Sequence, residues 1–337
     1  MGAVGESIRG GANPFAQFIN ASPDEVAMVT SVSAGINGVA SALNFQERNK
    51  VVMGEFEFPT MGHVWLGQRP RGAEVRFVGA EGDCIPAASY EKMVDRKTLI
   101  VPITRVCFKN GFRSHVGAIT KIAHSAGALV MLDDYQDCGT RPVDVKALDL
   151  DFFVTGTLKY LLGPPGLAFM YVRKELISSL TPTVTGWFGQ ANPFAYDPKL
   201  FDLSPTARRF ESGSPSVPNV YAALPGFQML QEIGMENVAD HIKTLAQSLL
   251  SSAHDLGIRA KTPADSRGPL VVLQCKDSTL LVQTLAKSNI VASNRHDGLR
   301  ISFHVYNTMD DVKAVVEVLK KHIDLMVLDP ASVGSHD

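Results

Sequence analysis

Between Lys50 and Val172, short and continuously apolar runs alternate with stretches of helical periodicity, and this alternation leaves few architectures open. The runs are Val51 to Met53, Val75 to Val78, Thr98 to Ile103, Ala128 to Leu132, Phe152 to Thr155 and Leu167 to Val172. A strand with one wet face alternates apolar and polar residues, whereas a strand covered on both faces reads as an unbroken apolar run. The segment Val116 to Ser125 (VGAITKIAHS) carries apolar residues at helical spacing and stops before Gly127, so it can cross over to the strand Ala128 to Leu132. The pattern predicts an α/β fold with a mostly parallel sheet. In such sheets the ligand crevice lies beyond the carboxyl ends of the strands, and Asp133 is placed just past one of them.

After Val172 the pattern changes to a loop rich in Gly, Pro and aromatic residues, Thr181 to Pro218, followed by longer helical stretches through Leu256. A boundary is expected near Ala260, giving a large domain over 1–259, a small α+β domain over 260–330 and a tail over 331–337. With 337 residues, 45% of them hydrophobic, the chain can bury the core this requires. A net charge of −2 with interspersed signs leaves no electrostatic footprint for nucleic acid or an anionic membrane, so small molecules and other protein chains are the expected partners. No apolar run approaches the roughly 20 residues of a membrane helix, and Met1 to Gly11 lacks the pattern of a signal peptide. Cys84, Cys107, Cys138 and Cys275 form no CxxC pair, which argues against a metal site or disulfide framework and points to a cytoplasmic setting.

The chemistry concentrates between Leu129 and Arg173. Asp133 follows a buried strand, Gln136 lies three residues on, and Lys159 comes just beyond the strand DFFVT. This arrangement resembles the signature of the class V aminotransferase family of fold-type I pyridoxal 5'-phosphate enzymes, where an Asp-x-x-Gln precedes the lysine that carries the cofactor as a Schiff base. The resemblance covers most of the chain and implies a homodimer acting on an amino acid. It also implies roles: Asp133 would keep the pyridine nitrogen protonated so that the ring accepts electrons. Gln136 would donate to the ring's phenolic oxygen, and Lys159 would bind the cofactor and shuttle the Cα proton.

Further segments extend the resemblance. In Thr30 to Asn37 (TSVSAGIN), Ser31 and Ser33 open a helical run, where amides and hydroxyls can hold an anion; this is similar to the family's phosphate-binding turn. Phe58, in Glu57-Phe58-Pro59-Thr60, falls where the family stacks a side chain on the pyridine face, phenylalanine being the kynureninase-like choice. The stretch Arg208 to Pro215 (RRFESGSP) resembles the motif whose hydroxyl reaches the phosphate of the neighbouring subunit's cofactor, which implicates Ser214. In Leu299 to Thr308 (LRISFHVYNT), Arg300 matches the arginine that grips the substrate carboxylate.

Departures narrow the reaction. Cysteine desulfurases need a thiol on the loop before that arginine, and Ile290 to Arg300 has none; Leu158 and Phe108 stand where their signature has histidine and asparagine. Gly156 replaces the usual serine, so Thr155 or Thr157 would supply a hydroxyl to the phosphate, Thr157 being the choice made here. No GxGxxG follows an early strand, against a nucleotide-binding dehydrogenase. The expectation is Cα deprotonation of an external aldimine leading to transamination or lyase chemistry. The alternatives are a kynureninase-like hydrolase or an epimerase, or, since relatives carry a further front segment, a catalytically impaired cofactor-binding paralogue or an N-terminally truncated form.

Overall fold

The computed structural model describes residues 12–329, and the readings made for Met1 to Gly11 and for the tail 331–337 lie outside them. A helix α1 (12–18) leads to strand β1 (Val26–Val29) and helix α2 (Val32–Ala42). There follow β2 (Lys50–Gly54), α3 (Pro59–Leu66), β3 (Glu74–Val78), a short α4 (Ala88–Glu91), β4 (Thr98–Thr104), α5 (Val116–Ser125) and β5 (Leu129–Asp133). Strands β6 (Phe152–Gly156) and β7 (Ala168–Val172) come next, then the short α6 (Lys174–Ile177) and the long helices α7 (Val217–Ile233) and α8 (Met235–Asp255). The chain closes with β8 (Leu270–Gln274), α9 (Ser278–Lys287), β9 (Ser293–Arg295), β10 (Gly298–Ser302) and α10 (Met309–Lys321).

Seven strands form one sheet in the order β1-β7-β6-β5-β4-β2-β3. The pairs from β3 through β6 are parallel, while β7 runs antiparallel to both β6 and β1. All six apolar runs become strands of this sheet, and their composition explains its covering. Successive side chains point to opposite faces, so Val130, Leu132 and Phe153 enter one core with Phe15, Ile19 and Phe227. Met131, Val154 and Met170 enter the other, with Ile36, Val39, Met53 and Trp65. The ring of Phe15 stacks on Phe169 at 4.2 Å between centroids, which fastens α1 to the antiparallel strand β7.

The smaller sheet is antiparallel, in the order β8-β10-β9. Helix α8 packs on α7 as well as on α10 and β8. Its apolar stripe (Val238, Ile242, Leu245, Leu249) faces these elements, and nothing in a helix's composition reveals which sheet that stripe will meet.

Candidate active site

The carboxyl ends of β4, β5 and β6 bring Thr104, Asp133 and Gly156 to the same edge of the large sheet, since Thr104 pairs with Asp133 and Asp133 with Val154. A cavity of about 130 Å³ opens there, bounded among others by Ser31, Ser33, Phe58, Asp133, Gln136 and Lys159. Five residues singled out from sequence (Ser33, Phe58, Asp133, Gln136 and Lys159) thus share one wall.

Each arrives by local folding. Ser31 is extended and its Oγ accepts the Ala34 N–H at 3.1 Å, which starts α2 and leaves the amides of Val32 and Ser33 without intrahelical partners. Those amides and the Ser33 hydroxyl, 3.3 Å from Thr60 Oγ1, are an anion-ready corner. Phe58 caps α3 in an extended conformation ahead of Pro59, as the residue before proline prefers. Its ring is 43% exposed, with Phe108 edge-on at 5.1 Å, so an apolar face is left for a flat group to cover.

Lys159 follows β6, its Nζ 4.1 Å from the ring centre of Tyr135 and 5.9 Å from that of Phe58. Burial lowers the Lys159 amine to about 8; the charge of Asp133 opposes the shift, whereas Arg300 and Arg295 add to it. Roughly a tenth of the amine is therefore uncharged at pH 7, far more than for an ordinary lysine, and that fraction can attack an aldehyde carbon. Asp133 is buried, and desolvation raises its carboxyl despite the Tyr135 N–H that donates to its Oδ1 at 3.0 Å and the nearby Lys159 charge. A protonated pyridine nitrogen is the kind of donor such a carboxylate lacks, so the residues fit the cofactor.

Arg300, on β10 of the small sheet, does not itself border this cavity but is hydrogen-bonded to Phe108, which does. Its Nε donates to Ser293 Oγ at 3.0 Å and its Nη1 to the Phe108 carbonyl at 3.3 Å, and burial together with Arg295 lowers its affinity for the proton. His304 pins the same segment: its Nδ1 accepts the Val305 N–H, so Nε2 carries the proton it donates to the Tyr160 carbonyl at 2.8 Å. The small domain is thereby hydrogen-bonded to the residue following Lys159.

Besides Arg300, two expected residues lie outside the cavity. Thr157 is fully buried and does not border the cavity; its N–H donates to the Leu167 carbonyl and its hydroxyl to the Pro164 carbonyl at 2.6 Å, a task set by the tight turn after β6. Ser214 is exposed and also outside this cavity. The rest of its motif is structural: Arg209 donates to the Ser204 and Leu180 carbonyls, and Glu211 accepts the Met28 N–H at 2.9 Å.

Sequence reasoning missed two neighbours. Tyr135 fills the space beside Gly156, where an added Cβ would lie 2.6 Å from the Tyr135 ring, so the glycine and the tyrosine are one adjustment. Glu57 is buried beneath Phe58 and accepts both the N–H (2.9 Å) and the hydroxyl (2.5 Å) of Thr104. Burial pushes its carboxyl up to about 8. The available signal was Glu57 set between Phe56 and Phe58 in the strand-to-helix turn.

A lysine and a buried aspartate at the carboxyl edge of a mostly parallel sheet, with a helix start opposite, define a fold-type I pyridoxal 5'-phosphate enzyme. The chain belongs to the class-V aminotransferase family, whose model matches residues 4–315. It is 33% identical over 315 residues to the uncharacterized aminotransferase YcbU of Bacillus subtilis, covering 92% of this chain and 83% of that one. The kynureninase of Pseudomonas fluorescens is 26% identical, covering 93% and 78%. Among solved structures, the apo cysteine desulfurase of Thermococcus onnurineus superposes with a TM-score of 0.88 at 21% identity, over 95% of this chain and 84% of that one.

Proposed function

We propose that this enzyme transforms an amino acid by removing its Cα proton, with Lys159 both holding pyridoxal 5'-phosphate and acting as the base, and that the outcome is transamination or elimination. The observation that carries the reading is a lysine amine lowered to about 8 by burial, in one cavity with a buried aspartate. When bound, the cofactor supplies an electron-accepting ring that makes the substrate's Cα proton acidic.

The chain's own residues do the rest. Asp133 keeps a proton on the pyridine nitrogen, and Gln136 donates to the phenolic oxygen. Phe58 covers one face of the ring and keeps water from it, while Ser33 and the first amides of α2 take the phosphate. Arg300 orients the substrate by its carboxylate with a bidentate fork. With its amine free, Lys159 would take the substrate's Cα proton and return it. The phosphate site is completed by Ser214 of a second copy in a homodimer, which suits the exposed position of that serine. None of the four cysteines borders the cavity, so the thiol attack that makes a persulfide has no nucleophile here. The name of the Bacillus relative favours transamination among the outcomes, and four free thiols suit the cytoplasm.

The test incubates the cofactor-loaded protein with a mixture of amino acids and identifies products by mass spectrometry. A keto acid or an eliminated fragment is expected, absent with Lys159→Ala. An inverted amino acid, a product of hydrolytic side-chain cleavage, or unchanged turnover by the Lys159→Ala variant would overturn the reading.

A further inference from the structure

We propose that the protein carries a second binding site, separate from the cofactor cavity, for a small oxyanion bearing two or more negative charges. The site is a cavity of about 660 Å³ enclosed by the start of α5, the turn that follows β5, helix α8 and the segment leading into β8. Five cationic side chains border it against two carboxylates.

At its floor the charges are poorly matched. Asp137 is buried, and its Oδ1 accepts the Thr140 hydroxyl at 2.7 Å. Its Oδ2 has the Nε atoms of Arg141, Arg113 and Arg105 at 3.6, 3.8 and 3.9 Å, yet accepts a hydrogen bond from none of them. Three guanidiniums thus crowd one oxygen at distances too long for hydrogen bonding. Arg105, whose side chain is only 5% exposed, has its Nε 2.8 Å from Asp134, while its Nη2 is buried with no hydrogen-bond partner. Burial also pushes the Asp134 carboxyl well up, which weakens that carboxylate as a counter-charge. Burial, with repulsion from Arg105, depresses the proton affinity of Arg113 although the charges of Asp137 and Asp134 oppose the shift.

A buried cation lacking donors' partners is costly unless something supplies them. The missing acceptors would come from an anion. Helix α5 adds to the attraction: it begins with no side-chain cap and no acidic residue in its first turn. A Cβ on Gly117 would meet nothing within 4 Å, so there is room beside the helix start; the Val116 and Ala118 amides already donate to the Ser114 and His115 carbonyls, which leaves the Gly117 N–H for a ligand. Lys243 and Arg267 stand on the rim. Guanidinium forks match the paired oxygens of carboxylates and phosphates, and the cavity has room for a phosphomonoester or a dicarboxylate.

The site has a route to the catalytic one. Asp134 and Asp137 alternate along one turn with Asp133 and Gln136, which face the cofactor cavity, and the Arg105 N–H donates to the Asp133 carbonyl at 3.0 Å. An anion that draws Arg113 and Arg141 away from Asp137 therefore acts on the turn that carries both cofactor contacts.

The experiment titrates the cofactor-loaded protein, freed of excess cofactor, with inorganic phosphate and separately with succinate in a calorimeter. Saturable binding of at least one probe is expected, and which one binds tells phosphate from carboxylate recognition. The double variant Arg113→Gln/Arg141→Gln should bind about tenfold more weakly or worse, because each substitution removes a charge-assisted hydrogen bond. Its lysine-bound chromophore should remain. Lys243→Glu, on the exposed face of α8, gives a second comparison with no risk to the core, and it too should weaken binding. Absence of saturable binding by both probes, or unchanged affinity in either folded variant, overturns the proposal.

Discussion

On the proposed reading Lys159 and Asp133 depend on each other through the cofactor, and their substitutions should separate. Asp133→Asn keeps the shape of the side chain and removes the charge that holds the ring nitrogen protonated. It should retain bound cofactor while turnover falls by about 10²–10³, measured as kcat against cofactor content. Phe58→Ala removes one ring contact and should loosen the cofactor by a few-fold, in line with about 0.5–1.5 kcal/mol for an aromatic pair, read as the dissociation constant in a fluorescence titration. Glu57 makes a different prediction, in stability. Its carboxyl is raised from 4.5 to about 8 in the folded protein, so the native state holds a proton that the unfolded chain has released between those values. Its contribution is fully present below about pH 4.5 and is lost as pH rises to about 8. Glu57→Gln keeps an acceptor for the Thr104 N–H and cannot ionise. Thermal denaturation should show it near wild type at pH 5 and more stable than wild type at pH 8 to 9; the opposite order would contradict the burial argument.

At the scale of elements, the turn after β5 and the connection from β6 to β7 are built against each other. Gly139 has φ +101°, and a Cβ there would lie 2.3 Å from the Tyr160 carbonyl oxygen, next to Lys159. Gly139→Ala should therefore cost at least about 2 kcal/mol in a denaturant melt and shift the visible spectrum of the bound cofactor; a neutral outcome would show that the two turns are not tightly joined. The strands themselves can be read from sequence because two-sided burial leaves an unbroken apolar run, and Asp133 and Lys159 stand out as polar residues at the ends of two of them. Strand β1, Val26–Val29, escapes that reading because four residues without flanking alternation carry no period. Likewise the match between Gly156 and Tyr135 is a contact across the sheet edge, so neither residue alone announces it. The sequence also does not show that the Thr157 hydroxyl donates to the Pro164 carbonyl of its own turn.

The whole molecule joins a large sheet that holds the cofactor residues to a small one that supplies Arg300. Arg300 to the Phe108 carbonyl and His304 to the Tyr160 carbonyl are two of the polar ties at that joint, beside the Thr262 and Ser266 hydroxyls that donate to the Asn110 and Arg113 carbonyls. His304→Phe removes one tie while keeping a ring beside Tyr160. It should raise KM more than it lowers kcat, since the arginine's aim suffers before the base does; an equal fall in both would place His304 in the chemistry instead. The proposed homodimer predicts that sedimentation of the loaded protein gives the mass of two chains. Among the described residues no helix is long and apolar enough to cross a membrane, and no group of His, Cys, Asp and Glu could hold a metal ion. The central claim rests on one covalent bond. Borohydride reduction of the loaded protein, followed by peptide mapping, should place the pyridoxyl tag on Lys159 in the segment TGTLKYLLG; a tag on another lysine, or a yellow protein that borohydride leaves unreduced, would contradict it.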